Sequence, residues 1–539
     1  MRRFRQTLIF TLVLAGFMIL LIPAQSIAFD EITWGDDQSA TFYGFFRNNL
    51  GMFLEDHSYV QDDDKLATVR TWLRVYADIR FSESLSLFAA GQLIYEPEYD
   101  SEKGSPSREN GEEYSEYDEI DDVLRELYID WRPSSSHGIR IGRQIVIWGE
   151  SLTDRVGDVI HPDDRRYTFA FANLEDTRIP SWMIKGIHDV PKIQTSIEWL
   201  VNPNMTSKEE YRVNRDGAPA VPLAGSAGQR FGPHTEDRWL PPITATNPIL
   251  GPPFSNPGVV IWPPMSSDWI FLPAGVMFPG SPAGYVPTAL PHLTTEYPDE
   301  GDIRFGARTN TFLGGFEFGF SFFHTQNYDP VIRKGGFSGA VDPFLHLPFR
   351  DYTFIYPDID IIGAYMNKDL PVGVLRTEMI YIPNKPYNTF DPADSDAIVE
   401  RDYVKYMVGW DINGFFYFDW HKSAPFDVTF EHVGEWVPDN DNLKYILYAT
   451  EMRKFVPRFN CRVSTNWLYN KVATEIIVSY GPMDQDGLIM PAIKYMPAWG
   501  NENVSFELKY VGIFGDSNYE GLGILKEKDL IVLTTQISF

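Results

Sequence analysis

A chain of 539 residues with 74 acidic against 46 basic side chains carries a formal net charge of -28, which excludes the cationic footprint that nucleic-acid phosphates require. The lone cysteine, Cys461, excludes an intrachain disulfide, and beyond residue 28 no uninterrupted apolar stretch reaches the ~18 residues of a membrane-spanning helix. Hydrophobic residues still make up 44% of the chain and aromatics 15%, dispersed in short alternating runs, so any membrane crossing falls to strands.

The N-terminus sets Arg2, Arg3 and Arg5 before an apolar stretch from Leu8 to Ile22, then Pro23 and Ser26-Ile27-Ala28. This is the pattern of a secretory signal peptide, residues 1–28, cleaved so that the mature chain 29–539 begins at Phe29. Two-residue periodicity then predicts strands near Ala40–Leu54, Val69–Phe81, Leu85–Tyr95, Leu124–Arg132, Ile139–Trp148 and Lys192–Val201. Further segments follow near Ile303–Phe312, Phe316–Gln326, Ile359–Met366, Val374–Ile382, Tyr403–Ile412, Phe415–Trp420 and Asp427–Trp436. The last are near Leu443–Arg453, Arg458–Tyr469, Ala473–Tyr480, Leu488–Met496, Val504–Gly512 and Leu530–Phe539. The expected architecture is an all-β antiparallel transmembrane barrel of roughly 16 strands, range 14–18, the size class in which an aqueous lumen becomes possible.

In Val69–Phe81 one face reads Val69, Thr71, Leu73, Val75, Ala77, Ile79, Phe81, and the other Arg70, Trp72, Arg74, Tyr76, Asp78, Arg80. The first suits hydrocarbon and the second water. At ~3.4 Å per residue, Arg70 and Arg74 stand ~14 Å apart and Arg80 ~20 Å beyond Arg74, too far for one small ligand. They are candidate pore-lining rungs for anionic groups; the alternative is that each pairs with a carboxylate on the neighbouring wall, as Asp78 suggests.

Three insertions do not read as wall. Residues 96–122 are dominated by carboxylates without metal-loop spacing, the composition of a solvated loop, with a loop that holds calcium near lipopolysaccharide as the alternative. Residues 149–190 contain V-G-D-V-I-H-P-D-D-R-R at Val156–Arg166. Residues 202–300 are crowded with prolines, among them Pro241-Pro242, Pro252-Pro253 and Pro263-Pro264, which cannot serve a sheet ladder. They are also apolar, at Ile261-Trp262 and Trp269-Ile270-Phe271, so insertion of this stretch into the lumen is favoured over an external cap.

Between the first two insertions, Leu124 to Glu150 reads L-R-E-L-Y-I-D-W-R-P-S-S-S-H-G-I-R-I-G-R-Q-I-V-I-W-G-E. It resembles the hairpin of the proteobacterial outer-membrane barrels catalogued as domain-of-unknown-function family 1302, through Leu124, Arg125, Glu126, Tyr128, Arg140, Gly142, Arg143, Gln144, Trp148, Gly149 and Glu150. Weaker likeness continues in Gly373–Tyr381, Tyr406–Asp411 and the last strand. The chain departs from the family at His161-Pro162-Asp163-Asp164 and in its acidic and proline-rich insertions. The resemblance implies transport at the outer membrane of a Gram-negative bacterium, beside a periplasmic lipoprotein and a resistance-nodulation-division transporter, with hydrophobic or amphipathic cargo. The terminal Phe539 resembles the signal that the barrel-assembly machinery reads. On their own chemistry, the hairpin's charges are expected inside the barrel as Arg–Glu struts between neighbouring strands or, alternatively, in contact with cargo. Gly142 is expected to admit a close neighbour.

No nucleophile elbow, zinc-protease helix or paired histidine spacing is present, and nothing ties His432, flanked by Glu431 and Glu435, to Ser464. A channel for small or amphipathic molecules is therefore expected, without enzyme activity, cofactor or metal. A loop-displaying receptor or platform is the alternative, and an outer-membrane hydrolase a more distant one.

Overall fold

The structure is a computed structural model. Outside the residues it describes lie 1–30, 55–65, 96–107, 114–119, 165–173, 206–268, 273–283, 342–347, 444–451, 498–502, 516–521, 523–528 and some isolated positions. The expected signal peptide and most of the acidic insertion fall there; of the latter, Arg108–Glu109 and Glu112–Glu113 pair as a small hairpin.

Eighteen strands form a closed antiparallel barrel. They are β1 (Gln38–Phe53), β2 (Leu66–Ser82), β3 (Leu85–Tyr95), β4 (Leu124–Ser134), β5 (His137–Gln144) and β6 (Ser181–Val190). Next come β7 (Thr195–Asn202), β8 (Arg304–Leu313), β9 (Phe316–Gln326), β10 (Asp358–Asp369), β11 (Val374–Asn388) and β12 (Ile398–Phe418). The last are β13 (His421–Trp436), β14 (Phe455–Trp467), β15 (Val472–Gly481), β16 (Asp486–Tyr495), β17 (Val504–Phe514) and β18 (Leu530–Ser538). Each pairs with its neighbours in this order, and β18 closes the ring on β1 from Phe45↔Ser538 to Phe53↔Leu530. On one rim the connections are turns, none longer than the eight residues 496–503; on the other they extend to 145–180 and 203–303. Short turns on one rim and long loops on the other are the habit of outer-membrane barrels.

The ring exceeds the roughly sixteen strands expected, and Ile32–Gly35 adds a short strand outside it on β1. The missed strand is β6, which lies inside the insertion expected at 149–190. It turns Met183 inward and Ile184 outward, so the polar–apolar alternation that marks the other strands is absent. Phe415–Trp420 joins Tyr403–Ile412 in β12 across an irregularity between Ile412 and Phe416. Ile139–Trp148 stops pairing at Gln144. The segment expected at Leu443–Arg453 lies mostly outside the described residues.

The outward face is the apolar one. Leu73, Val75, Ile129, Ile141, Ile184, Phe322, Ile362, Met379, Val408, Phe430, Ile493, Leu508 and Leu533 are exposed there, a belt that only hydrocarbon satisfies. Trp131 and Tyr495 sit outward near the short turns, and Tyr95, Trp436 and Tyr480 near the long loops, as aromatic girdles do.

Above the long-loop rim, Leu290–Glu296 runs parallel to Pro348–Ile355, which pairs antiparallel with Val331–Val341. Asn388 ties this sheet to β11, its Oδ1 accepting from Ile332 N at 3.1 Å and its Nδ2 donating to Ile332 O at 2.7 Å. The end of the proline-rich insertion therefore belongs to a sheet outside the barrel. Most of that insertion, and with it the expected lumenal entry, lies outside the described residues.

Candidate functional site

The described parts of the connection between β5 and β6, within 145–164 and 174–180, enter the barrel. The connection opens on I-V-I-W, and Val146, Trp148 and Ile160 are buried against Met183, Leu200, Phe323, Ile361 and Ile380 on the inner faces of β6, β7, β9, β10 and β11. Burying those side chains inside rather than outside is what draws the loop in, at about 1.5–3 kcal/mol for each large apolar group removed from water. Trp148 meets Phe323 edge-on at 6.0 Å, donates from Nε1 to Glu198 Oε1 at 2.5 Å, and its carbonyl accepts from Arg308 at 3.1 Å.

Past Trp148 the chain is gripped by charges on β11 to β13 and by an amide on β10. Both oxygens of Glu378 accept from Glu150 N at 3.2 Å, and Arg376 donates to the Glu150 carbonyl. Arg376 also pairs with Asp411 at 2.5 Å and Glu431 at 2.9 Å, and Glu431 in turn accepts from Ser151 Oγ at 3.0 Å and Leu152 N at 2.9 Å. Asn367 holds the Glu150 carboxylate at 3.2 Å, and Lys405 reaches Asp154 at 3.1 Å. Gly157 passes so close that a Cβ there would lie 2.1 Å from Glu378 Oε1, and a Cβ on Gly149 would lie 2.8 Å from Asp158 N.

The return limb is gripped on the other side of the ring. Asp176, in the one-turn helix Leu174–Thr177, lies between Arg74 of β2 at 2.7 Å and Arg47 of β1 at 3.1 Å, and Arg125 of β4 donates to the Glu175 carbonyl. Burial pushes the Asp176 carboxyl up, but Arg74, Arg47 and Arg125 outweigh it and hold it below the usual carboxylate range. Arg74 is oriented by Gln92 at 2.8 Å and Arg47 by Gln536 at 2.8 Å.

Inside the loop, Asp158 binds Arg178 at 2.7 Å and Arg155 at 3.1 Å. His161 Nε2 accepts from Val146 N at 2.8 Å, so the ring proton sits on Nδ1 and is donated to Ile179 O at 2.9 Å. Burial, with Arg155 and Arg304 nearby, pushes the imidazole well below its usual value and keeps it neutral. Between the two grips, β14 to β17 present a half-exposed inner wall with Arg462 on Glu475 at 2.6 Å and Lys509 on Glu507 at 3.6 Å.

The hairpin residues turn out to be the base of this loop. Glu126 accepts from Ile145 N at 3.1 Å, Arg143 donates to Arg125 O at 3.2 Å, and Gln144 donates to Met183 O at 3.1 Å. Arg140 pairs with Asp130 at 2.7 Å. Glu126, Arg143 and Gln144 thus bond main-chain groups, because the loop ends bring unpaired N–H and C=O groups to the wall and each must be satisfied. Gly142, at φ 140°, admits β4: a Cβ would lie 2.1 Å from Leu127 O and 2.7 Å from Tyr128 Cα. Of the arginines on β2, Arg74 binds a carboxylate from the loop, Arg70 is buried and Arg80 is exposed. His432 faces outward, stacked on Phe459 at 4.6 Å, while Glu431 faces the loop, so the two do not converge.

Arg376, Glu378 and Asp411 entered the sequence analysis only within the weaker likeness of Gly373–Tyr381 and Tyr406–Asp411, Glu431 only as a neighbour of His432, and Lys405 not at all. Their signal was available as charges at inward positions of otherwise apolar strands, such as R-T-E at Arg376–Glu378. Among the described residues no group of three or more His, Cys, Asp or Glu side chains could hold a metal ion, and no helix is long and apolar enough to cross a membrane, which says nothing of a barrel.

Among solved structures, the chain is similar over 96% of its length to 99% of OccAB1 from Acinetobacter baumannii, at 9% identity and a TM-score of 0.44. It is similar over 93% of its length to 97% of OccK9 (OpdG) from Pseudomonas aeruginosa, at 8% identity and a TM-score of 0.40. It is also similar over 94% of its length to 99% of the outer membrane channel DcaP of Acinetobacter baumannii, at 9% identity and a TM-score of 0.38. No curated protein matches the chain. The chain belongs to the family described as "Protein of unknown function (DUF1302)", whose sequence profile matches residues 10–474 and so takes in both the hairpin motif and the loop it anchors.

Proposed function

We propose that this protein is an outer-membrane channel for small or amphipathic molecules, with the 145–180 loop as its constriction. The observation that carries the reading is the pair of opposed grips: one set of charges on β11 to β13 and another on β1, β2 and β4 hold a single loop inside the ring. A barrel that served only to display loops would gain nothing from a braced, charge-lined partition. Export by a signal peptide cleaved after Ala28, and assembly by machinery reading Phe539, belong to the same proposal, as does a periplasmic lipoprotein feeding or emptying the channel together with an inner-membrane transporter.

The barrel permits a direct test, because Gln144 and Ser181 face each other at the mouth of β5 and β6, so a short turn can replace 145–180 without moving the wall. In planar bilayers the native protein should give discrete conductance steps in KCl, and the shortened barrel steps several-fold larger. Absence of current from both folded forms would overturn the channel reading and favour a platform built on the external sheet of Leu290–Glu296, Val331–Val341 and Pro348–Ile355.

A further inference from the structure

Four rings stand side by side on the inner wall of β1 to β4. Tyr43 stacks on Tyr76 with centroids 4.9 Å apart, Tyr76 meets Phe88 at 6.2 Å, and Phe88 stacks on Tyr128 at 5.1 Å. From the β5 side, the Arg140 guanidinium lies over Tyr128 at 4.2 Å. These side chains share the inward face with Arg74 and Glu126, whose partners are in the loop. Tyr76 is two residues along β2 from Arg74, and Tyr128 two along β4 from Glu126, in each case toward the short turns. The row therefore runs along the wall just past the constriction.

The lumen side of a barrel is ordinarily polar, and the outward belt already supplies the apolar face that the membrane demands. A contiguous aromatic row inside calls for something to touch it. Its head is formed by Phe45 and Trp72, against which Tyr76 packs and over which the Arg47 and Arg74 guanidinium groups lie at 4.4–5.4 Å. That head already holds a carboxylate, the chain's own Asp176. Acidic neighbours are present as well, but Asp130 is bound by Arg140 and Glu126 by Ile145 N, which leaves Asp78 as the exposed one.

Tyr76 and Phe88 have rings on both flanks, so what they offer the lumen is edges rather than faces. Ring edges carry the positive end of the aromatic quadrupole, which attracts carboxylate oxygens and the faces of other rings; sugars stack on open faces, which Tyr76 and Phe88 withhold.

We propose that the row is a track for small monocarboxylates with a flat apolar body. The carboxylate is drawn to the partly exposed Arg47 guanidinium beside the Asp176 clamp, passes toward Arg140, and the body moves along the ring edges between them. This rests on the channel reading above.

The test measures bi-ionic reversal potentials in planar bilayers, after KCl current has been recorded from the same barrels. In a plain water-filled pore the smaller acetate outruns phenylacetate. The track instead favours phenylacetate, by about fivefold for one or two ring contacts. In Tyr76→Leu, Phe88→Leu double-variant barrels that still carry KCl current, the order should revert to acetate first, and Phe88→Leu alone should move the ratio part of the way. Acetate outrunning phenylacetate in the native barrel, an unchanged ratio in the leucine variants, or stronger interruption of the current by maltose than by phenylacetate would each overturn the track while leaving the channel standing. Absence of KCl current would instead overturn the channel reading itself.

Discussion

His161 works as an acceptor only while its ring is neutral. Its Nε2 takes the Val146 N–H at 2.8 Å, and a proton there would set two donors against each other in a buried site. Because the folded value is depressed, the opened loop binds a proton below pH ~6.5 that the seated loop refuses, and seating weakens by up to ~1.4 kcal/mol per pH unit until the folded value is reached. Loop seating is thus fully supported above that pH and eroded below it. Protease cleavage within 145–180, which tracks the open population, should rise as pH falls from 6.5 to 5. His161→Gln keeps an acceptor without a titrating ring, and it should flatten that rise; an equal slope in the variant would assign the effect to another group. Gly157 is constrained by space instead of charge. Gly157→Ala sets a methyl group against the Glu378 carboxylate and should raise cleavage at every pH, at a cost of about 1–3 kcal/mol.

At the scale of the element, the loop is held by two unlike grips. At the Glu150–Leu152 end, wall carboxylates accept main-chain N–H groups; at the other end, the loop's own Asp176 is clamped between arginines. A depressed carboxyl supports folding fully above its unfolded value of ~3.9 and loses that support as pH falls through its lower folded value. The Asp176 grip should accordingly hold from pH 7 down to ~4 and fail below. Asp176→Asn should give, at pH 7, the larger and noisier conductance that the native protein reaches only in that acid window. Identical traces for the two proteins at pH 7 would remove Asp176 from the constriction. The sequence pointed to this element from one side only. L-R-E and W-G-E stood out through the family resemblance, with Gly142 and the hairpin charges marking it further, and the fold class and most wall strands followed from two-residue alternation. The partners did not, since Glu150 and Arg376 are 226 positions apart and Ser151 and Glu431 280, beyond the reach of any local period. For the same reason the loop carbonyls that meet Arg125 of the hairpin and Arg376 of the wall were out of reach of the sequence. β6 was hidden by its own environment, because Met183 is turned to the buried loop and Ile184 to lipid, which sets apolar residues side by side where alternation would be looked for.

For the molecule as a whole, everything depends on closing the ring, and closure happens at one seam. There β1 and β18 pair over nine residues, and the ladder runs on into the last residue: Phe539 N donates to Gly44 O at 3.0 Å and Gly44 N to Phe539 O at 2.8 Å. The Phe539 ring lies over Gly44 on the outward side, where a Cβ would come within 2.9 Å of its Cζ. Main chain and ring can therefore be separated. Phe539→Ala retains both seam hydrogen bonds and removes only a ring that faces lipid, whereas deletion of Phe539 removes the bonds as well, worth about 0.5–1.5 kcal/mol each. If the ring serves recognition before closure, Phe539→Ala should lower the amount of heat-modifiable barrel in outer membranes while the assembled fraction melts almost as the native protein does. Deletion should lower both the amount and the melting temperature. A Phe539→Ala barrel assembled in normal amount but melting early would make the ring a structural plug over Gly44, and normal assembly after deletion would leave the terminal residue without a role in either step.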